Sequence, residues 1–261
     1  MDLGIKGKVA LVTASSGGLG AAIARTLAAE GAKVAITGTN REKLDRTEAA
    51  IKAAGGTVIS LVWDLGDLSL IEPSIALIEK ELGPIDILVN NTGGPPPSPA
   101  AGQAQDVWTK HFNLMVLSVI AITDRVLPGM RARKWGRVLT STSMGTIVPI
   151  PNLGVSNTLR ASLIGWSKTV SREVAKEGVT VNVISPGRIL TDRIHQIDGA
   201  QAKREGKTVE EVAAASQATI PAGRYGDPQE FADVATFLCS ARASYVTGSN
   251  VRVDGGVIPN V

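Results

Sequence analysis

The stretch Val9-Ala10-Leu11-Val12-Thr13-Ala14-Ser15-Ser16-Gly17-Gly18-Leu19-Gly20 decides the fold. A short apolar run passes directly into small polar residues and glycines, and an alanine-rich amphipathic segment, Ala21 to Glu30, follows. A run without polar alternation suits a strand buried on both faces, as in a parallel sheet. Glycines at a strand-to-helix junction let the backbone turn tightly and approach a pyrophosphate held at the helix N-terminus. A glycine cluster alone also fits a plain turn. Its place between the first strand and the first helix of a βαβ unit points to phosphate binding.

The same alternation continues outward. Further short runs are Val34 to Thr37, Val58 to Trp63, Ile85 to Asn90, Arg137 to Thr142, Val179 to Ile184 and Asn250 to Asp254. Helical patterns lie between them at Arg41 to Ala54, Leu68 to Leu82, Gln103 to Arg133 and Ser156 to Glu177. Seven strands alternating with helices predict a three-layer, doubly wound parallel α/β sheet in one domain spanning residues 1–261. Two segments break the rhythm. Gly93 to Gly102 is a stiff proline-rich loop, and Thr191 to Arg224 is a polar excursion with a weak helical pattern. Such excursions near strand carboxyl ends are where these sheets take ligands, so both are expected to form a pocket and lid.

Composition excludes several classes. With 261 residues, 44% hydrophobic and 20% charged, the chain can bury a core and is not a disordered segment. The net charge is +3 and the densest basic run is only Arg131-Ala132-Arg133-Lys134, so nucleic-acid binding is not expected. Cys239 is the single cysteine and His111 and His195 the only histidines, which leaves no set for a disulfide or a zinc site, and no metal is expected. Both histidines read as structural or surface residues. Neither a signal peptide nor an ~18-residue apolar membrane segment is read, so a cytoplasmic location is the expectation.

From this point the chain resembles the short-chain dehydrogenase/reductase family, in particular its 3-oxoacyl-[acyl-carrier-protein] reductase-like branch. The resemblance covers about residues 5 to 256 and implies a Rossmann fold. The family's loop reads T-G-x-x-x-G-x-G; Thr13, Gly18 and Gly20 match, and Ala14 replaces the first glycine, which alanine can do where φ is negative. Trp63-Asp64-Leu65 is similar to the acidic corner on adenine, and Asn90-Asn91-Thr92-Gly93 to the family's N-N-A-G. Asn113 falls where the family keeps a helix asparagine, and Pro186-Gly187-Arg188-Ile189-Leu190-Thr191 resembles the turn on the nicotinamide carboxamide. The resemblance thus implies a dinucleotide on Ala14, Ser15, Ser16, Gly18, Leu19, Gly20, Asp64, Leu65, Asn91, Gly93, Pro186, Gly187, Ile189 and Thr191.

Cofactor choice turns on the end of the second strand, where a carboxylate binds a ribose 2′-hydroxyl and repels a 2′-phosphate. Gly38 stands there, followed by Thr39, Asn40 and Arg41, so NADP(H) is favoured over NAD(H), with Arg41 the charge partner. Arg41 also fits a solvated first helical turn.

The family's catalytic pattern is a serine followed thirteen residues later by Y-x-x-x-K. Here the serine is Ser143, and that count lands on Ser156, with Arg160 in the lysine position. The downstream residues Ala161, Leu163, Ile164, Gly165 and Ser167-Lys168 keep the register, and the two tyrosines, Tyr225 and Tyr245, lie in the C-terminal segment. The catalytic set is therefore Ser143, Ser156, Arg160 and Asn113, with Arg160 also on the cofactor ribose. Both serines also fit locally bonded structural hydroxyls, and Asn113 a buried structural amide. An aliphatic hydroxyl is a far weaker acid than a tyrosine of pKa ~10. Three outcomes stay open: slow catalysis through Ser156 and water, a substrate that brings its own proton relay, or a cofactor-binding protein with a sensing or assembly role.

Arg188 and Arg193 flank the nicotinamide turn and read as anion-recognising or, more often for such residues, solvated. The implied substrate is a small carbonyl or alcohol. The resemblance also implies a homotetramer, to which Ser162, Gly165 and Ser167 would contribute close helix approach.

Overall fold

The computed structural model describes residues Met1–Asn260. The chain builds seven parallel strands: β1 (Val9–Val12), β2 (Lys33–Gly38), β3 (Thr57–Val62), β4 (Ile87–Asn90), β5 (Gly136–Ser141), β6 (Val179–Pro186) and β7 (Asn250–Val253). Their order is β3-β2-β1-β4-β5-β6-β7, so the expected three-layer α/β architecture is present. The chain reverses its direction of travel across the sheet between β1 and β4, and the crevice outside their carboxyl ends is where such sheets bind ligands.

One face is covered by α1 (Gly18–Ala29), α2 (Arg41–Ala53) and α9 (Pro228–Leu238), through residues such as Ile23, Leu27, Leu44, Ile51 and Phe231. The other face is covered by α3 (Ile71–Leu82), α5 (Ser118–Ala132) and α6 (Gly154–Val174), through Ile75, Ile78, Ile122, Val126, Val170 and Val174. Strands with both faces buried need apolar side chains at every position, which is why β1 and β4 show no alternation.

Several expectations are corrected. The helix read as Gln103 to Arg133 is broken into α4 (Gln105–Phe112), a π-helical turn at Asn113–Leu117, and α5. The Ser118 amide donates to the Asn113 carbonyl, and the widened turn shifts the helix face without any apolar residue marking it. This 28-residue stretch also has the length and apolarity to cross a membrane, contrary to the expectation that no segment does. In the fold its apolar residues are buried on two fronts, Ile122 and Met130 with the sheet residues Leu88 and Val138, and Met115 and Val119 with Val155, Leu159 and Leu163 of α6. The weak helical pattern after Thr191 resolves into α7 (Asp192–Glu205) and α8 (Val209–Ala218). A capping box starts α8: Thr208 accepts from the Glu211 amide and Glu211 from that of Thr208.

Ala14 also departs from expectation, with φ at +45° rather than negative. The backbone is fixed there from both ends. The Ala14 amide donates to Thr37 Oγ1 at 3.1 Å, and the Ala14 carbonyl accepts from Asn91 Nδ2 at 3.0 Å. A left-handed alanine costs about 1–2 kcal/mol relative to the right-handed form. Ala14→Gly should therefore raise the unfolding free energy by about 1 kcal/mol, after the glycine's extra unfolded-state entropy is subtracted. In a chain of this size that is an increase of about 2–4 °C in Tm by calorimetry, and an equal or lower Tm would contradict the strain.

Candidate active site at the β1/β4 crevice

The crevice is held shut at its base by Thr13 and Asn91. The Thr13 hydroxyl donates to the Asn91 carbonyl at 2.7 Å, and the Asn91 amide donates back to Thr13 Oγ1 at 2.9 Å. Above this tie lies the N-terminus of α1. Gly17 supplies no side-chain cap, and the first turn carries no acidic residue, so its amides face the crevice with no anion supplied by their own turn. Gly20 must be glycine here: a Cβ would fall 2.7 Å from the Ala14 carbonyl oxygen. At Gly17 and Gly93, by contrast, a Cβ would meet nothing within 4 Å. The Thr92 hydroxyl, beside Gly93, is buried without a partner. A backbone-lined, open cradle with free amides fits a dinucleotide pyrophosphate.

The sequence-named residues divide between this surface and the core. Ser15 is fully buried; its hydroxyl donates to the Val12 carbonyl at 2.6 Å and accepts from the Thr37 amide, and its own amide donates to the Thr37 carbonyl at 2.7 Å, so Ser15 shapes the loop from within the fold. Leu19 packs on the core, and Leu65 is buried in the opposite cluster, so the adenine corner offers exposed Asp64 rather than the Leu65 side chain. Ser16 stands against Gly38, where a Cβ would lie 2.8 Å from Ser16 Oγ. Thr39, Asn40 and Arg41 are exposed beyond it. The Asn40 carboxamide caps α2 by accepting from the Lys43 amide, and the Arg41 guanidinium donates to Ser60 Oγ at 3.0 Å.

On the far side, Gly187 donates to the Val253 carbonyl and packs so tightly on Asp254 that a Cβ would sit 2.7 Å from its Cα. Ile189 is buried, and Pro186 and Thr191 are half-buried. The Thr191 methyl lies 3.8 Å from the Cβ position of Gly18, so this turn lies against the glycine loop.

Ser143, Ser156 and Arg160 meet at the end of β5. Ser143 caps a short 3-10 turn, Met144–Thr146, by accepting from the Gly145 amide at 3.0 Å, which leaves its own proton free to donate. The first turn of α6 rests on this turn, with Asn157 Oδ1 2.4 Å from the Cβ position of Gly145. Ser156 and Arg160, one helical turn apart, share a face. Ser156 is buried, and among the described residues its hydroxyl makes no hydrogen bond. Arg160 is 8% exposed and reaches across to donate to the carbonyls of Ser141 (3.3 Å), Thr92 (3.3 Å) and Gly93 (3.0 Å). Burial, and then the charge of Arg193, push the Arg160 guanidinium down to about 10, still protonated at neutral pH. Asn113 is half-buried in its π-helical turn, which packs against α6.

The proline loop is fastened to the start of α6: Ser98 bridges Leu153 in parallel, its amide donating to the Asn152 carbonyl at 2.7 Å and its carbonyl accepting from the Gly154 amide at 2.9 Å. Gly94, Pro96 and Pro97 line a cleft of about 300 Å³ together with Arg193, Gln196 and Ile197 of α7. Arg193, which the sequence leaves as either anion-recognising or solvated, lies at this cleft. It is half-buried, and its Nη2 donates to the Pro95 carbonyl at 2.7 Å. The signal was its place two residues after Thr191, but a helix start looks alike whether it faces water or a cleft. Arg188 is likewise not solvated; it pairs with buried Asp198 at 2.7 Å. Asp198 also accepts from the Tyr225 hydroxyl at 2.8 Å, and burial followed by this contact pushes the Tyr225 phenol above its ordinary value. Tyr245 is fully exposed.

Comparison with known proteins agrees with this geometry. The family model described as enoyl-(acyl carrier protein) reductase matches residues 13–258. The chain is 36% identical over 258 residues to the 3-oxoacyl-[acyl-carrier-protein] reductase of Salmonella typhimurium, covering 98% of this chain and 99% of that one. Among solved structures, L-sorbose reductase from Gluconobacter frateurii, complexed with NADPH and L-sorbose, superposes with a TM-score of 0.94 at 31% identity and full coverage of both chains. An NAD+-bound xylitol dehydrogenase superposes at 0.89 with 28% identity, covering 97% of this chain and 99% of that one. With a glycine-loop crevice between β1 and β4 and relatives that match it end to end, the chain belongs to the short-chain dehydrogenase/reductase family, whose members are NAD(P)-dependent oxidoreductases.

Proposed function

We propose that this protein interconverts a carbonyl and an alcohol with NADP(H), through a proton-transfer site in which Ser156 and Arg160 take the place of the family's tyrosine and lysine. The observation that carries this reading is the convergence of the uncapped α1 amides, the free Ser143 hydroxyl and the buried Arg160 charge on one crevice. When bound, the nicotinamide supplies or accepts the hydride. The amides of Gly18, Leu19 and Gly20 hold the pyrophosphate, Asp64 the adenine edge, and Thr191 with the Pro186-Gly187 turn the carboxamide end. Asn91 positions the loop through its bonds to Thr13 and Ala14.

Ser143 donates a hydrogen bond to the substrate oxygen, which orients the carbonyl and stabilises charge gathering there. Arg160 keeps a fixed positive charge in the crevice, and the donors it does not spend on the carbonyls of Ser141, Thr92 and Gly93 are left for the ribose hydroxyls. The proton that completes the alcohol reaches the oxygen from water through the Ser156 hydroxyl, with Asn113 on the solvent side of that relay. A positioned acid or base contributes typically ~100- to 10,000-fold, so this site is slower than one with a phenol of tuned pKa. A dinucleotide-binding protein with a sensing or assembly role is the second reading. It is favoured by the fixing of Tyr225 to Asp198, which leaves no phenol free for the crevice.

The end of β2 supports NADP(H). No carboxylate stands at Gly38, a side chain there would crowd Ser16, and Arg41 lies exposed nearby. The NADPH in L-sorbose reductase is in line with this, whereas xylitol dehydrogenase carries NAD+. For assembly, α6 exposes Ala161, Ser162 and Gly165, a small-residue face suited to close packing in a homotetramer, whereas Ser167 is buried and cannot contribute.

Titration by nicotinamide fluorescence should show NADPH binding at least about tenfold tighter than NADH, with Arg41→Ala narrowing the ratio; equal affinities would remove the assignment. In a panel of carbonyls and alcohols followed at the nicotinamide absorbance, Ser143→Ala should lower kcat about 100-fold while cofactor affinity holds. The double variant Ser156→Tyr with Arg160→Lys gives the sharper comparison. Wild type outpacing it on a substrate marks a specialised site, whereas dinucleotide binding with no turnover of any compound supports the sensing reading.

A further inference from the structure

We infer that the substrate is a short oxo acid, and that Arg160 and Arg193 together form the receptor for its carboxylate; this rests on the oxidoreductase reading above. The two guanidiniums flank Gly94. Their Nη2 atoms lie 3.6 Å and 3.5 Å from the point where a Cβ would stand on that residue. Arg160 comes from α6 below and Arg193 from the first turn of α7 above, so two elements distant in sequence bring like charges to one spot.

Neither charge is neutralised within the protein. Among the described residues, no carboxylate lies within ion-pair distance of either arginine, and both donate only to backbone carbonyls. The acids nearest in sequence are committed elsewhere: Asp192 is exposed and faces Lys43 at 3.9 Å, and Asp198 is held by Arg188 and Tyr225. Burial lowers the proton affinity of both guanidiniums, Arg160 further through its neighbour. A buried charge and a half-buried like charge without a counter-ion are costly, and an anion between them relieves both the repulsion and the lost hydration.

The donors left over point the same way. Arg160 spends both terminal nitrogens on the carbonyls of residues 92, 93 and 141, whereas Arg193 spends only one hydrogen of Nη2 on Pro95, so one two-nitrogen edge of its fork is left for a planar two-oxygen group. The cleft beside them is lined by Pro96, Pro97 and Ile197 and suits a short carbon skeleton. Arg160 stands one helical turn from Ser156, so a carboxylate held between the arginines is bound from the helix face that also carries the hydroxyl assigned to the proton relay. The short skeletons that fit this arrangement are those of 2- and 3-oxo acids, in which the carbonyl lies one or two carbons from the carboxylate.

The competing source of negative charge is the dinucleotide itself, whose pyrophosphate is assigned to the glycine loop that Thr191 lies against. Calorimetric titration of the protein–NADPH complex with acetoacetate and with acetoacetamide, and with 2-oxobutyrate and 2-oxobutyramide, separates the two. At least one acid should bind tenfold or more tightly than its amide, and Arg193→Gln should erase that preference while changing NADPH affinity less than twofold. No preference for either acid in the wild type overturns the inference. So does an Arg193→Gln protein that loses NADPH affinity tenfold, since the arginine would then serve the cofactor. NADPH oxidation recorded in the same samples keeps the two readings apart: acid-selective binding without turnover upholds the receptor and sinks the oxidoreductase, whereas turnover of neutral carbonyls without acid preference does the reverse.

Discussion

Two hydrogen bonds between Thr13 and Asn91 join the carboxyl ends of β1 and β4, the neighbouring strands whose following connections leave for opposite faces of the sheet. Without that tie the crevice has no floor. With it, the Asn91 carboxamide reaches the Ala14 carbonyl, Ala14 is forced into the left-handed region, and the chain turns to present the α1 amides. Thr37 completes the constraint by accepting from Ala14 with its hydroxyl and donating its own amide to Ser15 Oγ. Polar side chains buried at strand ends are thus spent on aiming backbone donors. The strain at Ala14 persists because bonds on both sides over-determine it.

The treatment of buried arginines separates scaffold from site. Arg137 is also buried, donating to the carbonyls of Ser240 and Gly136 at 2.8 Å and 2.7 Å, but its guanidinium stacks on the Trp135 ring at 4.5 Å, and the second cation on that ring, Lys8 at 4.1 Å, is paired with Asp86. An aromatic face and carbonyls suffice to hold one buried cation in place. Arg160 has carbonyls alone and a like charge beside it, an arrangement that favours no folded state by itself. Polar groups left short of partners tend to mark places where a ligand completes the structure.

Much of the architecture was legible, and for one reason. Buried parallel strands demand continuous apolar runs, and the runs at Val9, Val34, Val58, Arg137 and Val179 mark elements that begin within one residue of the expectation. The π-helical turn at Asn113 was not legible, because one extra residue in a turn rotates the helix face without changing its composition. Nor was the split after Thr191 into two helices, although Thr208 and Glu211 carry the spacing of a capping box. The glycines at 18, 20, 93 and 187 were found as a set, but the reason for each differs. Gly20 and Gly187 allow close backbone approach, and Gly93 borders open space.

The sequence by itself determined the doubly wound sheet, the position of the glycine loop, and the spacing that sets Ser156 and Arg160 on one helix face. Those features are local: apolar runs, glycine at a strand–helix junction, and spacing along one helix. Tertiary structure alone decided which side chains face the crevice. It turned Ser15, Leu65 and Ser167 inward, gave the Asn40 carboxamide to a helix cap, fixed Tyr225 to Asp198, and brought Arg193 over Gly94 toward Arg160. Charge cannot be placed from sequence, because an arginine at a helix start reads the same in water as in a cleft; only the packing of α7 on the proline loop removes the solvent and makes the charge matter.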